Sequence, residues 1–357
     1  MTVALRPAGG GPGGPAQAGT LSEYGFTDLY LTTGTTDVEP VVKGLKARDV
    51  VQGDGIGGVR PVPDFLKADV MRLGEDIRDM WIKTGGQREF VTVREGVSYR
   101  CALIDAPEST IKRPTEDVDI QNWCVRHITT NLPRLESLGM PRDMQTVLTD
   151  LRNDRGLLLV SGSFGSGKST TASVILDHWV RMTRDVAISL EDPPEYPLGR
   201  VTTDEGAIYQ IDLTERPIEE AIKYARRWGP RFFFLGEVRT PQAAAEMLHM
   251  SISGPMVVCT IHAADPVQAI ISLVRFAARE MSESTAREMV AASLKSVIWQ
   301  EIVGGRLSAT LGVIGGAENF VVRKKIELGQ YQQIYEDLER QRVNRTRPGG
   351  SVGIGRR

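Results

Sequence analysis

The sequence predicts an α/β protein with a smaller α+β unit toward its N-terminal end, on three observations. The apolar run Leu157-Leu158-Leu159-Val160 leads into Gly162-Ser-Phe-Gly-Ser-Gly-Lys-Ser169, and an amphipathic segment from Ala172 to Met182 follows. Beyond it, strand-like apolar runs alternate with helical spacing, which implies a parallel sheet covered on both faces. Ahead of it, residues 22–130 hold short alternating pieces and one long helical pattern.

Bulk properties narrow the class. A chain of 357 residues suggests two domains. Charged residues make up 25% and the formal net charge is −2, ordinary values for a soluble protein. No apolar stretch approaches the roughly 18 residues a membrane span needs. The opening Met-Thr-Val-Ala-Leu-Arg-Pro lacks the apolar core of a secretory signal. Cys101, Cys124 and Cys259 lie far apart, with no CxxC pair, so neither a disulfide framework nor a zinc ribbon is expected.

Residues 1–20 are rich in Gly, Pro and Ala and are expected to be disordered. Within residues 21–132, the N-terminal domain, Asp28-Leu-Tyr-Leu alternates as a strand does, and Phe65 to Lys83 has helical spacing. Phe90 to Ile104 reads as a hairpin turning at Glu95-Gly96. Prolines punctuate residues 133–141, an expected linker to a second domain over residues 142–340. There the glycine-rich strand and helix are followed by a strand at Val186-Ala-Ile-Ser-Leu, a helix at Ile218–Arg227 and a strand at Arg231-Phe-Phe-Phe-Leu. A helix at Pro241–Met250 and a strand at Met256-Val-Val-Cys-Thr-Ile come next. From there the chain reads mainly helical to about Arg342, and residues 341–357 read as a disordered basic tail.

A buried strand that ends in a glycine-rich turn and opens a helix is built to hold phosphates. Gly162, Gly165 and Gly167 let backbone N–H groups converge, and Ser163, Phe164, Ser166 and Thr170 complete the expected cradle. Lys168 reaches β/γ oxygens and the Ser169 hydroxyl ligates Mg²⁺ in such a loop, so a nucleoside triphosphate such as ATP is the expected ligand. The later strand ends add chemistry, as they should in such a sheet. Glu191-Asp192-Pro-Pro-Glu195 follows one strand; alone, it fits a solvated loop as well as a catalytic acid. Gly236-Glu237-Val238-Arg239 follows a very apolar strand, and Glu237 there fits an acid holding a water on Mg²⁺. His262 ends another; it fits a structural role, a γ-phosphate sensor or a holder of a catalytic glutamate.

Taken together, the P-loop, Glu-Asp-Pro-x-Glu, Gly-Glu-Val-Arg and Thr260-Ile-His-Ala resemble the PilT-type secretion ATPases of type IV pili, type II and type IV secretion, and conjugation. The four blocks correspond to that superfamily's Walker A, Asp box, Walker B and His box. Asp28-Leu-Tyr-Leu with Pro40 and Gly44 resembles the start of its N-terminal domain, and Tyr99-Arg100-Cys-Ala and Val125-Arg126-His-Ile its arginine-bearing strands. Leu135 to Pro141 looks like its linker, and Ser296-Val-Ile-Trp-Gln300 with Gly305-Arg306-Leu307 like its C-terminal helical segment. The pattern is nearest to PilT and to the DotB/TraJ ATPases.

The resemblance implies a RecA-like P-loop ATPase domain preceded by a smaller α+β, PAS-like domain. It further implies a hexameric ring that hydrolyses ATP with Mg²⁺, working at the cytoplasmic side of the inner membrane through platform or secretion-channel proteins. Ser169 and Glu237 would hold the metal, Glu191 would polarise the attacking water with Glu237 as competitor, and Arg100 and Arg126 would supply cations on closure about the linker. Two departures stand out: Pro255 follows Gly254 where the superfamily has a His, and Thr240 stands where it often has Asp.

Other classes remain open. A RecA-like nucleic-acid motor shares this core, but no basic patch with interleaved aromatics is visible within the folded region. Arginines 340, 342, 345, 347, 356 and 357 read as an exposed solubilising tail. A nucleotide-gated, non-hydrolysing scaffold is compatible with Pro255 and Thr240. No Asn-Lys-x-Asp guanine motif occurs.

Overall fold

The computed structural model describes residues 20–23, 26, 28–34, 38–43, 59–104, 120–128, 132–213 and 216–346. The N-terminal stretch before residue 20, Gly44 and the tail from residue 347 lie outside them. The chain divides into two compact units, residues 1–130 and 131–357.

The first unit is a six-stranded sheet. Its strands are β1 (Asp28–Thr33), β2 (Val41–Lys43), β3 (Val59–Pro61), β4 (Glu89–Arg94), β5 (Val97–Ile104) and β6 (Gln121–Ile128), in the antiparallel order β3-β2-β1-β6-β5-β4. Helix α1 (Asp64–Lys83) buries Leu66, Val70, Leu73 and Ile77, whose spacing forms one stripe. That stripe packs with Leu29, Leu31, Cys101, Trp123 and Val125 from the sheet. The β4–β5 hairpin turns at Glu95 and Gly96, where φ is 51° and 76°; two successive positive φ values suit the right-handed twist of the strands.

The second unit is an eight-stranded sheet between two layers of helices. Its strands are β7 (Gly156–Gly162), β8 (Val186–Glu191), β9 (Arg200–Thr202), β10 (Gly206–Asp212), β11 (Phe232–Leu235), β12 (Met256–His262), β13 (Leu294–Val303) and β14 (Arg306–Val313). They lie in the order β14-β13-β7-β12-β11-β8-β10-β9, with β14 and β9 antiparallel at the edges and parallel pairing between. Alternate residues serve opposite faces. Leu158, Val160, Phe232 and Phe234 pack toward α2 (Arg142–Asp150) and α3 (Lys168–Thr183). Leu157, Leu159, Phe233 and Leu235 face a core shared with α4 (Ile218–Ala225), α5 (Pro241–Ser253), α6 (Pro266–Ala277) and α7 (Glu283–Ser293). Burial on both faces is why these strands read as unbroken apolar runs.

Two expectations need correction. Ser296–Gln300 and Gly305–Leu307, expected in a helical segment, form the β13–β14 hairpin. Val297 and Ile298 serve opposite cores there, a period of two that short apolar runs share with buried helices, and Gly304 and Gly305 turn the chain at φ 56° and 75°. The expected tail is ordered through Thr346, because α9 (Tyr331–Thr346) follows α8 (Phe320–Glu327) and buries Ile334 and Leu338. Its Gln341 exchanges hydrogen bonds with the Val313 backbone at 2.9 and 2.7 Å, closing part of the β14 edge. Within the expected linker, Leu135 and Met140 are buried in the core beneath α2 and α3.

Candidate functional site

The parallel strands of the second unit end along one edge, and the residues singled out by the sequence stand in a row on it. Gly162 of β7 pairs with Gln300 of β13 on one side and His262 of β12 on the other. Glu237 follows β11, and Glu191 closes β8 beside β10.

The loop between β7 and α3 bends where only glycine is comfortable. Gly165 and Gly167 have φ of 72° and 80°, and a Cβ on Gly162 would lie 2.2 Å from the Gln300 carbonyl oxygen. Ser166 N–H donates to the Ser163 carbonyl at 3.3 Å, and α3 then runs 16 residues with its N-terminus at the loop. Lys168 is 7% exposed; its Nζ donates to the Ser163 carbonyl at 2.8 Å and lies 3.3 Å from His262 Nδ1. Burial lowers its pKa, opposed by the charges of Glu237 and Glu195.

From Lys168 a polar chain crosses the row. His262 Nε2 lies 3.0 Å from Glu237 Oε1, so a neutral ring with its proton on Nε2 satisfies both neighbours. Glu237 Oε2 accepts from Arg239 Nε at 2.6 Å, and Arg239 Nη1 reaches Asp192 at 3.3 Å. The Phe164 ring stacks on His262 at 6.3 Å with 14° between planes. Thr260 holds the Gly236–Val238 turn, donating to the Gly236 carbonyl at 2.5 Å and accepting from Val238 N–H at 3.0 Å.

Glu191 differs from Glu237. It is 3% exposed, and burial pushes its pKa up to about 7 against hydrogen bonds from Ser189, Gln210 and the Glu195 backbone. Ser189 Oγ donates to its carboxyl, and Gln210 Nε2 donates to it at 2.8 Å. A buried acid poised near neutrality can take or give a proton, whereas Glu237 is arranged as a hydrogen-bonded carboxylate among cations. Thr170 and Tyr196 share a hydroxyl hydrogen bond of 2.8 Å on the helix side of the loop, and Ser169 stands on the first turn of α3.

Of the expected site residues, Gly162 through Thr170, Glu191, Glu237 and His262 are thus brought together. Arg100 and Arg126 lie in the first unit, directly opposite one another on β5 and β6. Two like charges so placed repel unless compensated. Here Arg100 pairs with Glu89, and Arg126 donates twice to Asp28 Oδ1 at 3.0 and 2.9 Å. The sequence did not point to Ser189, Gln210 or Gln300 as site residues. Each is a polar residue at an inward strand position, a signal a period-two reading can find. The surface also holds what the sequence reading excluded, a basic stretch with aromatics: Tyr224 and Trp228, each 56% exposed, stand among Lys223, Arg226 and Arg227.

Comparison with known proteins defines the class first. The fold is the α/β fold of the PilT and DotB ATPases. A crystal structure described as the pilus retraction motor PilT with bound ADP superposes with a TM-score of 0.66 at 23% identity, covering 89% of this chain and 87% of that one. The ATPase DotB of Legionella pneumophila gives 0.62 at 16% identity, covering 91% and 90%. The chain belongs to the type II/IV secretion system protein family, whose pattern matches residues 119–325. Relatives include YggR of Escherichia coli K12, 31% identical over 183 residues, which are 50% of this chain and 53% of YggR. The type IV pilus retraction ATPase PilT of Pseudomonas aeruginosa is 29% identical over 236 residues, 64% of this chain and 63% of PilT. The chain therefore spans between about half and just under two thirds of these relatives' length.

Proposed function

We propose that this protein is a Mg²⁺-dependent ATPase, hexameric when active, that converts ATP hydrolysis into domain motion driving type IV secretion, conjugation or type IV pilus dynamics. One observation carries the reading above the rest. A buried lysine at the base of a glycine loop is joined through His262 to Glu237, so the loop and the acid beyond β11 form one site. The residues fit a Mg²⁺–nucleotide: the Lys168 cation sits at a helix N-terminus among left-handed glycines, the surroundings an anion needs. The P-loop would hold the phosphates through backbone N–H groups and Lys168, and Ser169 and Glu237 would hold the metal, which screens the charge of the transferred phosphoryl group.

Glu191 polarises the attacking water, a role its burial and raised pKa favour over Glu237, which is engaged by Arg239 and His262. Arg100 and Arg126 supply compensating cations when a ring closes, on release from Glu89 and Asp28. The hinge is proposed in residues 133–141, with its pivot ahead of the buried Leu135. The domains proposed are 21–132 and 142–340, the first PAS-like and the second RecA-like. Partners are further copies of the chain and inner-membrane platform or channel proteins, which would hold it at the cytoplasmic face.

Phosphate release from purified protein tests the reading. Lys168→Ala should lower nucleotide affinity and abolish turnover; turnover equal in both proteins, or absent from the wild type, overturns the hydrolase. A second reading, a nucleic-acid motor, is favoured by the Tyr224–Trp228 surface alone. DNA that binds salt-sensitively and stimulates turnover would support it.

A further inference from the structure

We propose that Gln300 is a positioning residue of the nucleotide site, holding the phosphate loop in its binding shape from the neighbouring strand. The inference rests on the nucleotide reading above. Gln300 is wholly buried on β13, opposite Gly162, and its Nε2 donates to the Ser166 carbonyl at 2.6 Å. The amide orientation is fixed by chemistry, because a carbonyl oxygen can only accept. In a trans peptide the C=O and the following N–H point in opposite directions. Pinning the Ser166 oxygen toward β13 therefore turns the Gly167 N–H away from β13, toward the open side of the loop where an anion would lie.

Three further contacts make β13 the wall of that loop. The Gln300 main-chain carbonyl stands where a Gly162 side chain would be, so strand and loop can approach only because residue 162 is glycine. A Cβ on Gly167 would lie 3.4 Å from Gln300 Nε2 and 3.9 Å from Ile302 Cδ1, so the left-handed residue rests directly on this strand. One turn of the pleat earlier, Ser161 Oγ donates to the Ile298 carbonyl at 2.7 Å. The other half of the Gln300 amide differs: Oε1 is buried with no hydrogen-bond partner among the described residues. An unsatisfied buried oxygen is costly, and a strand residue needed only for packing would be apolar. The donor half is what the position retains.

The test compares wild type with Gln300→Met, which keeps an unbranched chain and loses the donor, and with Gln300→Glu, which donates only when protonated. A fluorescent ADP analogue with Mg²⁺ reports affinity, steady-state hydrolysis gives KM and kcat, and a thermal melt reports folding. Gln300→Met is expected to weaken ADP binding and raise KM by about tenfold, with kcat changed by less than about threefold. Gln300→Glu is expected to bind poorly at about pH 8 and to recover at about pH 6, because full burial on β13 raises the carboxyl's pKa enough for it to regain its proton there and become a donor. Wild-type affinity in a folded Gln300→Met, or lower stability with unchanged affinity, overturns the inference. If Gln300→Met does not fold, the Gln300→Glu pH profile decides: affinity that fails to recover on acidification overturns it. A wild type that binds no ADP analogue sinks the nucleotide reading itself, and this inference with it, whereas binding by wild type and both variants alike sinks only the role of Gln300.

Discussion

Glu191 and Glu237 are the same residue type at equivalent strand ends, yet their surroundings divide their work. Desolvation holds the proton on Glu191 up to about pH 7, while the unfolded chain releases it in the ordinary carboxylate range. The folded state thus binds more protons between those values, so stability falls as pH rises through that window. Urea unfolding at several pH values should show wild type losing on the order of 1–3 kcal/mol relative to Glu191→Gln between about pH 5 and pH 8. Identical pH dependence in the two proteins would remove the buried-acid account. Hydrolysis by wild type should climb as pH rises through about 7, when the carboxylate forms, and Glu191→Gln should bind nucleotide but turn over poorly at every pH. Arg126 makes a comparable pair of experiments. Arg126→Ala should keep nucleotide binding and lose turnover by about 10³-fold or more, but it also strands the buried Asp28. Asp28→Asn separates the effects, since it removes the Asp28 charge while keeping the arginine. Turnover at the wild-type level in Arg126→Ala would end the proposed role.

At the scale of elements, the C-terminal hairpin and helix decide how the site is backed. The β13–β14 hairpin extends the sheet past the loop strand, and α9 lies over it with Ile334 and Leu338 in the core. Leu338 is 5% exposed, so Leu338→Ala should cost about 2–4 kcal/mol in denaturant unfolding. A loss below about 0.5 kcal/mol would mean that α9 is not docked as described. Arg345 is used in the same element: it donates to the Leu311 carbonyl and lies 3.6 Å from Asp143. That arginine serves the fold and is not part of a solubilising tail. The Pro-rich segment shows the same division, since its prolines punctuate the chain while Leu135 and Met140 anchor it.

For the whole molecule, the proposed mechanism draws on both compact units of the chain. Arg100 and Arg126 belong to residues 1–130, while the glycine loop, Glu191 and Glu237 belong to residues 131–357. Size measurement with and without ATP is the direct check: a larger, ring-sized species should appear or strengthen with nucleotide. A strict monomer under both conditions, with turnover intact, would rule out completion of the site between copies. No described helix is long and apolar enough to cross a membrane. Family membership rests on residues 119–325, which carry the whole loop-to-His262 row, and the shared fold extends over most of the chain.

Much of this was legible in the linear chain because local rules set it. The glycine loop between an apolar strand and a helix, the Glu95-Gly96 hairpin, the α1 stripe and the acids ending β8 and β11 all follow from period, turn chemistry and burial of a doubly covered sheet. These pointed to the α/β class and to the row of candidate site residues, while the family came from the resemblance of the motif blocks. Strand order lay beyond sequence, because hydrogen bonding between distant segments decides it. Nothing local says that β13 pairs with β7, and the run Val297-Ile298-Trp299 is equally apolar as helix or strand. Such pairings bring Gln300 behind the loop and Gln210 of β10 to Glu191, and they let Ile334 and Leu338 of α9 dock in the core. Sequence by itself determined which residues could do the chemistry; tertiary structure alone decided which of them are neighbours, how deeply Glu191 is desolvated, and therefore which acid holds a proton near neutrality.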